Sequence, residues 1–103
     1  MNLKGSLPLL ILRVLVDGRS HGYRIAQHIK DESGGVLDFR EGTLYPTLHS
    51  LEKDGLITST KQKENGRQRR YYVLTEAGHA ALDEGRAEWE SFAQAVNKIL
   101  GDA

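Results

Sequence analysis

The arrangement of apolar and polar positions predicts that the chain begins with a helix covered on two sides. Residues 7–16 (LPLLILRVLV) are apolar almost throughout, with Pro8 in the first turn and Asp17-Gly18 as a stop signal. A helix that is apolar on nearly every side must be buried on two faces. We expect one face to serve the domain core and the other to meet a partner. The core positions are Leu7, Ile11, Val14 and Leu15, and the partner positions are Leu9, Leu12 and Val16.

A second and a third helix, each with one apolar edge, are predicted farther along. The second runs from about residue 23 to residue 32 and ends at Ser33-Gly34-Gly35, and a short extended linker covers residues 36–39. The third runs from about residue 43 to residue 54. Pro46 is expected in its first turn, where a missing N–H is tolerated. The inner positions are Ile25, Ala26 and Ile29 in the second helix and Leu44, Leu48 and Leu51 in the third.

Two strand-like segments follow the third helix. Residues 56–60 and 70–74 are rich in β-branched and aromatic side chains, and Glu64-Asn65-Gly66 between them is a strong turn signal. The pattern predicts a two-stranded hairpin. Three helices followed by a hairpin is the order of a winged helix-turn-helix. The predicted fold class is therefore α+β, mostly helical, with a winged helix-turn-helix and a C-terminal dimerisation helix.

The last predicted element is a long helix from the N-cap Thr75 to about Leu100. Its apolar positions recur every three or four residues, as in the a and d positions of a heptad. A domain this small offers too little surface to cover the last helix. We therefore expect this helix to pack against the first helix of a second copy. The predicted domains are a winged helix-turn-helix over residues 1–74 and a dimerisation helix over residues 75–103. The heptad positions are Leu82, Gly85, Trp89, Phe92, Val96 and Ile99.

Composition and charge narrow the class of protein. The 103 residues carry equal numbers of basic and acidic side chains, but residues 1–74 hold 12 Lys and Arg against 8 Asp and Glu, and residues 75–103 hold 2 against 6. Five of the basic side chains lie between Lys61 and Arg70 on the hairpin. This asymmetry favours nucleic-acid binding. The chain lacks cysteine and its apolar run at residues 7–16 is too short to span a bilayer, so a cytoplasmic protein is expected.

Three segments together carry a family resemblance: TLYP at residues 43–46, LEKDGLI at 51–57 and YYVLTEAG at 71–78. In combination they resemble the PadR family of bacterial transcriptional regulators, over the range from Leu7 to about Leu100. The single helix after the hairpin is similar to the short-tailed branch of that family. The resemblance implies a homodimeric winged-helix repressor that binds an inverted-repeat operator and is released by a ligand. It also implies that a planar aromatic effector stacks on Trp89 at the dimer centre, beside Leu9, Leu12 and Arg13.

The candidate DNA contacts lie on the third helix and the hairpin. A recognition helix presents polar side chains to base edges, and basic side chains nearby contact phosphates. Tyr45 is the most informative of them, because an aromatic residue on the polar face lacks an evident packing role. The alternative for either element alone is a solvated surface, which their adjacency disfavours. The candidates are Thr43, Tyr45, Pro46, Thr47, His49, Ser50 and Lys53 on the helix, and Lys61, Lys63, Gly66, Arg67, Arg69 and Arg70 on the hairpin.

The candidate dimer and effector interface combines the first and last helices. Simple packing between two copies explains its apolar residues without any effector, and is the simpler hypothesis. The interface candidates are Leu9, Leu12, Arg13, Val16, Leu82, Trp89, Phe92, Val96 and Ile99.

Other classes of protein are less well supported. A winged helix used only for protein contacts is one alternative. A metal-responsive regulator is another, although none of the four histidines forms a pair at the i, i+4 spacing of helical metal ligands. The sequence lacks nucleophile, phosphate-loop and metal motifs, so neither an enzyme nor a cofactor is predicted.

Overall fold

The computed structural model describes residues 3–101, with side chains from residue 5 onward. The predicted domains also include residues 1–2 and 102–103, which lie outside this range. A short 3-10 helix, Leu3–Ser6, leads into the first α-helix. The four α-helices are α1 (Leu7–Val16), α2 (Gly22–Glu32), α3 (Glu41–Lys53) and α4 (Glu76–Leu100). The three strands are β1 (Ser20–His21), β2 (Ile57–Glu64) and β3 (Arg67–Leu74).

The hairpin of β2 and β3 forms as predicted and is longer than predicted. The strands pair antiparallel from Ile57 opposite Leu74 to Glu64 opposite Arg67. Asn65 and Gly66 make the two-residue turn with φ of 51° and 78°. Positive φ at both positions is the requirement of the tight hairpin turn that Asn-Gly favours. The hairpin therefore projects as a wing whose tip is this turn.

The short strand β1 was missed by the sequence analysis, which predicted only a turn there. β1 pairs antiparallel with β3, with Ser20 opposite Tyr72 and His21 opposite Tyr71, so the sheet order is β1-β3-β2. Two residues are too few to show an alternating pattern, and their pairing with β3 depends on residues fifty positions away. β1 makes β3 the central strand and ties the base of the wing to the start of α2.

Pro46 lies inside α3, so its predicted place in the first turn is wrong. α3 begins at Glu41, which makes Pro46 the sixth residue of the helix. The backbone N–H groups of Thr43 and Leu44 bond to the carbonyl of Arg40, which fixes the true start. Proline has no N–H to donate to the carbonyl of Gly42, one turn earlier. The first turn was overlooked because Glu41 and Gly42 add no apolar side chain to the periodic pattern.

One core joins all four helices to the sheet. Its buried residues are Leu7, Ile11, Leu12, Leu15, Ile25, Ile29, Leu44, Leu48, Leu51, Ile57, Tyr72 and Leu82. Two members correct the sequence analysis. Leu12 and Leu82, both expected to face a second copy, are buried in the core of their own chain. The first turns of α4 pack on α1 of the same chain, and burial of these leucines removes their apolar surface from water.

Two glycines lie where α4 comes close to the rest of the domain. The Thr75 side chain accepts the N–H of Gly78 at 3.0 Å, which confirms Thr75 as the N-cap. A Cβ at Gly78 would overlap the backbone carbonyl of Leu56. A Cβ at Gly85 would lie 2.9 Å from Cδ1 of Leu9. Gly85 thus lies at a contact between α1 and α4 of the same chain.

The second half of α4 extends beyond this contact. Trp89, Phe92, Ile99 and Leu100 are exposed, and Ile99 retains 87% of its accessible surface. The chain accordingly measures 54 × 28 × 22 Å along its principal axes. Among residues 3–101, the structure contains no helix long and apolar enough to cross a membrane.

Candidate nucleic-acid interface

The outer face of α3 is polar and accessible. Leu44, Leu48 and Leu51 turn the opposite face into the core, as their spacing predicted. Tyr45, Pro46, His49, Ser50 and Lys53 are therefore exposed, and Thr43 and Thr47 are half-buried. The Thr47 hydroxyl donates to the carbonyl of Thr43 at 2.8 Å, which fixes its orientation along the helix. All seven predicted helix contacts lie on or beside one accessible face.

Tyr45 has a packing role that the sequence did not reveal. Its ring lies against the backbone of Gly22 at the start of α2, where a Cβ would come within 2.7 Å of the phenol oxygen. The side chain is still 44% exposed. The ring is thus held between α2 and α3 with one surface open to solvent.

The wing carries exposed basic side chains along both of its strands. Lys61, Lys63, Arg67 and Arg70 are all exposed, as is Gly66 in the turn. Near its base the wing is attached to α3. Arg70 Nη1 donates to the Ser59 hydroxyl at 2.9 Å, and that hydroxyl donates to Glu52 Oε2 at 2.6 Å. This chain of hydrogen bonds links β3, β2 and the last turns of α3.

Arg69 differs from the other basic residues of the wing because its guanidinium turns inward. Nη1 of Arg69 lies 2.9 Å from Nε2 and 3.4 Å from Nδ1 of His21. Nearby, the Tyr71 hydroxyl donates to the carboxylate of Glu64, and the Arg19 guanidinium lies 4.9 Å from the centroid of the Tyr71 ring. This polar cluster fills the space between the wing and the start of α2.

Electrostatics in this cluster follow from its contacts. Burial, followed by the charges of Arg69 and Arg24, lowers the pKa of His21 below its ordinary value of 6.5. The hydrogen bond from Tyr71 lowers the pKa of Glu64, and the same bond raises the pKa of the Tyr71 phenol. His21 is thus favoured in its neutral form, and Glu64 as a carboxylate.

A groove runs between α3 and the wing. It brings Tyr45 together with residues 67–70 of β3, and the start of α2 forms its remaining wall. Sequence reasoning missed Tyr23, which is 69% exposed on this wall. The signal was available, because an aromatic residue beside Gly22 falls on the side of α2 opposite to Ile25 and Ile29. An exposed polar helix face and an exposed basic strand therefore border one concave surface.

A second, apolar groove lies between α1 and α4. Its volume is about 540 Å³, and its walls include Leu9, Leu12, Trp89 and Phe92. The Trp89 and Phe92 rings are 5.9 Å apart between centroids. Within one chain Arg13 does not belong to this groove, because it lines a separate depression beside His28 and pairs with Asp17 at 3.5 Å. Val16 is exposed, and Val96 is half-buried farther along α4.

The groups expected of a metal site do not come together in the described part of the chain. Residues 3–101 include no cluster of three or more His, Asp or Glu side chains that could hold a metal ion. His28 makes a helical pair with Glu32 at 3.9 Å instead. The sheet and helices thus provide two surfaces for recognition, a polar and basic groove and an apolar one.

A winged helix with an exposed polar third helix beside a basic wing defines a class of DNA-binding transcriptional regulators. The chain belongs to the transcriptional regulator PadR-like family, whose model matches residues 11–84. This confirms the family predicted from the sequence, and it confirms a transcriptional regulator in place of an enzyme.

Relatives and solved structures agree with this assignment. The transcriptional regulator Rv3488 of Mycobacterium tuberculosis is 41% identical over 93 residues, which span 90% of this chain and 84% of the relative. A transcriptional regulator from Clostridium thermocellum superposes with a TM-score of 0.87 at 32% identity, covering 93% of this chain and 94% of the other. The structure of Bacillus subtilis PadR in complex with operator DNA has a TM-score of 0.70 at 29% identity, covering 76% of this chain and 45% of that one.

Proposed function

We propose that this chain represses transcription by binding an inverted-repeat operator as a homodimer. The observation that carries the proposal is the groove in which Glu41 and Tyr45 of α3 face residues 67–70 of the wing. The exposed polar face of α3 and the exposed basic residues of the wing lie beside it. α3 would enter the major groove, and the wing would follow the flanking phosphate backbone. The complex of Bacillus subtilis PadR with operator DNA supports this function for a chain of the same family.

The two elements would have different tasks. Exposed side chains of α3 would contact base edges and so select the sequence. The exposed basic residues of the wing would contact phosphates, which increases affinity for every sequence. The proposed helix contacts are Thr43, Tyr45, Pro46, Thr47, His49, Ser50 and Lys53, and the proposed wing contacts are Lys61, Lys63, Gly66, Arg67 and Arg70.

The proposed dimer rests on the exposed half of α4. Trp89, Phe92 and Ile99 are large apolar side chains that remain uncovered in the single chain. Burying such a patch against a second copy removes it from water, and a two-fold axis would then present two copies of α3 to the two half-sites. Half-sites would be separated by one helical turn of DNA, about 34–36 Å. Residues 1–74 would act as the DNA-binding domain, and residues 75–103 would supply the dimerisation helix, whose first half also belongs to the core of its own chain.

The proposed effector is a planar aromatic compound held in the apolar groove beside Trp89. Leu9, Leu12 and Phe92 supply apolar walls, and the Trp89 indole supplies a surface for stacking. Because the groove lies next to the proposed dimer contact, an effector would change the separation of the two α3 helices. It would release the operator only by binding one dimer arrangement better than the other.

A salt titration of operator affinity tests the DNA-binding proposal. Fluorescence anisotropy with the promoter DNA of the chain's own gene would give the slope of log Kd against log salt concentration. Arg67→Ala should weaken binding to all sequences and reduce the slope by about one. Arg86→Ala on exposed α4 is the matched control and should leave the slope unchanged. A flat salt dependence for the unmodified protein would instead support a winged helix used for protein contacts.

The effector proposal has a separate optical test, because Trp89 is the single tryptophan of the chain. Planar aromatic compounds should quench its emission on titration. Leu9→Ala should weaken the quenching, because it removes part of the apolar wall that contacts the compound. Unchanged emission across a broad panel of such compounds would contradict the effector and leave the DNA-binding proposal intact.

A further inference from the structure

His21 joins two structural elements, the sheet and α2. It pairs with Tyr71 in the sheet, and only 8% of its surface is exposed. It is also the N-cap of α2, where its Nδ1 accepts the backbone N–H of Arg24 at 3.3 Å. Its ring forms a T-shaped pair with the Tyr71 ring at a centroid distance of 5.5 Å. A displacement of His21 would therefore move the base of the wing and the start of α2 together.

Arg69 and Arg67 provide a contrast on the same face of β3. They are two residues apart, so the strand directs both side chains to one side. Arg67 is exposed near the turn, whereas Arg69 is half-buried and places its guanidinium 2.9 Å from Nε2 of His21. A guanidinium in this position is directed at the body of the domain. Of these two side chains, only Arg67 makes no such contact with the described residues, and it is therefore available to a phosphate.

We propose that His21 is a positioning residue that fixes the wing against α2 through Arg69. Arg69 sets the orientation of the wing relative to α2 and does not contact phosphate. This inference rests on the proposed DNA-binding function and assigns Arg69 a role different from the one that its sequence neighbourhood predicted. Arg67 contacts phosphate, and Arg69 fixes the position of β3, the strand to which Arg67 belongs.

The contact requires a neutral His21. A neutral imidazole has one nitrogen with a free lone pair, whereas an imidazolium has an N–H at both nitrogens. This single acceptor serves either the Arg24 N–H at Nδ1 or the Arg69 guanidinium at Nε2. Protonation would remove it and would add a positive charge beside Arg69. The charged and titratable groups around the ring are Arg24 and Tyr23 of α2, Arg69 and Tyr71 of β3, Glu64 of β2, and Arg19 before β1.

Salt dependence separates a positioning residue from a phosphate contact. Arg69→Gln should weaken operator binding roughly tenfold, the effect of losing one charge-assisted hydrogen bond, without changing the slope of log Kd against log salt. Arg67→Gln, on the same strand face, should reduce that slope by about one. An Arg69→Gln slope reduced as much as that of Arg67→Gln would overturn the proposal.

Coupling and pH then test His21 itself. His21→Asn keeps an N-cap acceptor for Arg24 but is too short to reach Arg69. It should weaken binding as much as Arg69→Gln does, and the double variant should be no weaker than either single variant. The affinity ratio between the unmodified protein and His21→Asn should shrink as the pH falls below the ordinary histidine value of 6.5. Additive single effects, or a ratio that is constant with pH, would overturn the proposal.

A titration without DNA distinguishes failure of this inference from failure of the proposed function. In NMR spectra of the free protein, Arg69→Gln should raise the pKa of His21 because it removes a neighbouring positive charge, and Arg67→Gln should not. An unchanged His21 pKa in Arg69→Gln would overturn the contact even if the operator is bound. If the unmodified protein binds no operator while this titration behaves as expected, the DNA-binding function fails and the wing role of His21 falls with it.

Discussion

The two halves of α4 have the same apolar spacing but different surroundings. In the first half, Leu82 is 5% exposed in the core and Gly85 lies against Leu9 of α1. In the second half, Phe92 and Ile99 are exposed although they continue the same heptad pattern. The first half is therefore part of the domain core, whereas the apolar side chains of the second half can be buried only by a partner.

This difference shows that periodicity identifies a face of a helix and not the partner of that face. A heptad pattern records which side chains point the same way. Whether they meet their own chain or a second copy depends on how far the domain extends along the helix. Here α1 reaches Gly85, and the apolar side chains beyond that point are the ones available for a dimer.

The largest expected effect distinguishes the two halves by stability. Leu82→Ala should lower the free energy of unfolding by about 2–5 kcal/mol, because it leaves a cavity in the core. Ile99→Ala should change it by less than about 0.5 kcal/mol when measured at a concentration that keeps the protein monomeric. Urea denaturation monitored by circular dichroism gives both values. Equal losses would show that the two halves are packed alike.

Two glycine substitutions sharpen the comparison inside the packed half. Gly78→Ala should cost about 1–3 kcal/mol, because its Cβ overlaps the rigid backbone carbonyl of Leu56. Gly85→Ala should be close to neutral, because it meets only the flexible end of Leu9 and gains about 1 kcal/mol of helix propensity. Thermal unfolding of the two variants side by side makes the measurement. A large loss of stability in Gly85→Ala would show that Leu9 cannot move aside and that α1 and α4 are packed rigidly at this contact.

The exposed half should affect association more than folding. Phe92→Ala should weaken the proposed dimer by more than about 1 kcal/mol, or at least fivefold in Kd, by removing an aromatic contact from the interface. Sedimentation equilibrium measures this change. Lys98→Ala, exposed on the same half of α4, serves as the control and should leave the Kd nearly unchanged. If the Phe92→Ala variant dimerises with the same Kd as the unmodified protein, the dimer contact lies elsewhere.

The smallest expected effect concerns pH and belongs to the packed body. The folded pKa of His21 is lowered from 6.5, so the unfolded chain takes up a proton first as the pH falls. The neutral His21 contact thus contributes stability above pH 6.5, and this contribution is lost as the pH falls through the lowered folded pKa. Melting temperatures of the unmodified protein should decline over this window. His21→Asn should reduce the decline, and an identical pH profile in that variant would contradict the assignment.

Elements defined by local signals were predicted well. The limits of α1, the N-cap Thr75 and the Asn65-Gly66 turn all agree with the structure, because each depends on side chains within a few positions along the chain. The start of α3 was placed too late, since its first turn lacks apolar residues. The contact residues proposed for DNA stay predictions, although the structure does place most of them on one accessible surface.

The amino-acid sequence by itself determined the class of fold, the inner edges of the helices, the basic hairpin and the family, because these depend on composition and short-range periodicity. Only the tertiary structure decided that Leu12 and Leu82 belong to their own chain's core and that β1 joins the sheet. It also decided that Arg69 turns towards His21 while Arg67 stays free. Each of these contacts joins residues that are far apart in the chain. They depend on how the helices and strands pack together, which local sequence patterns do not encode.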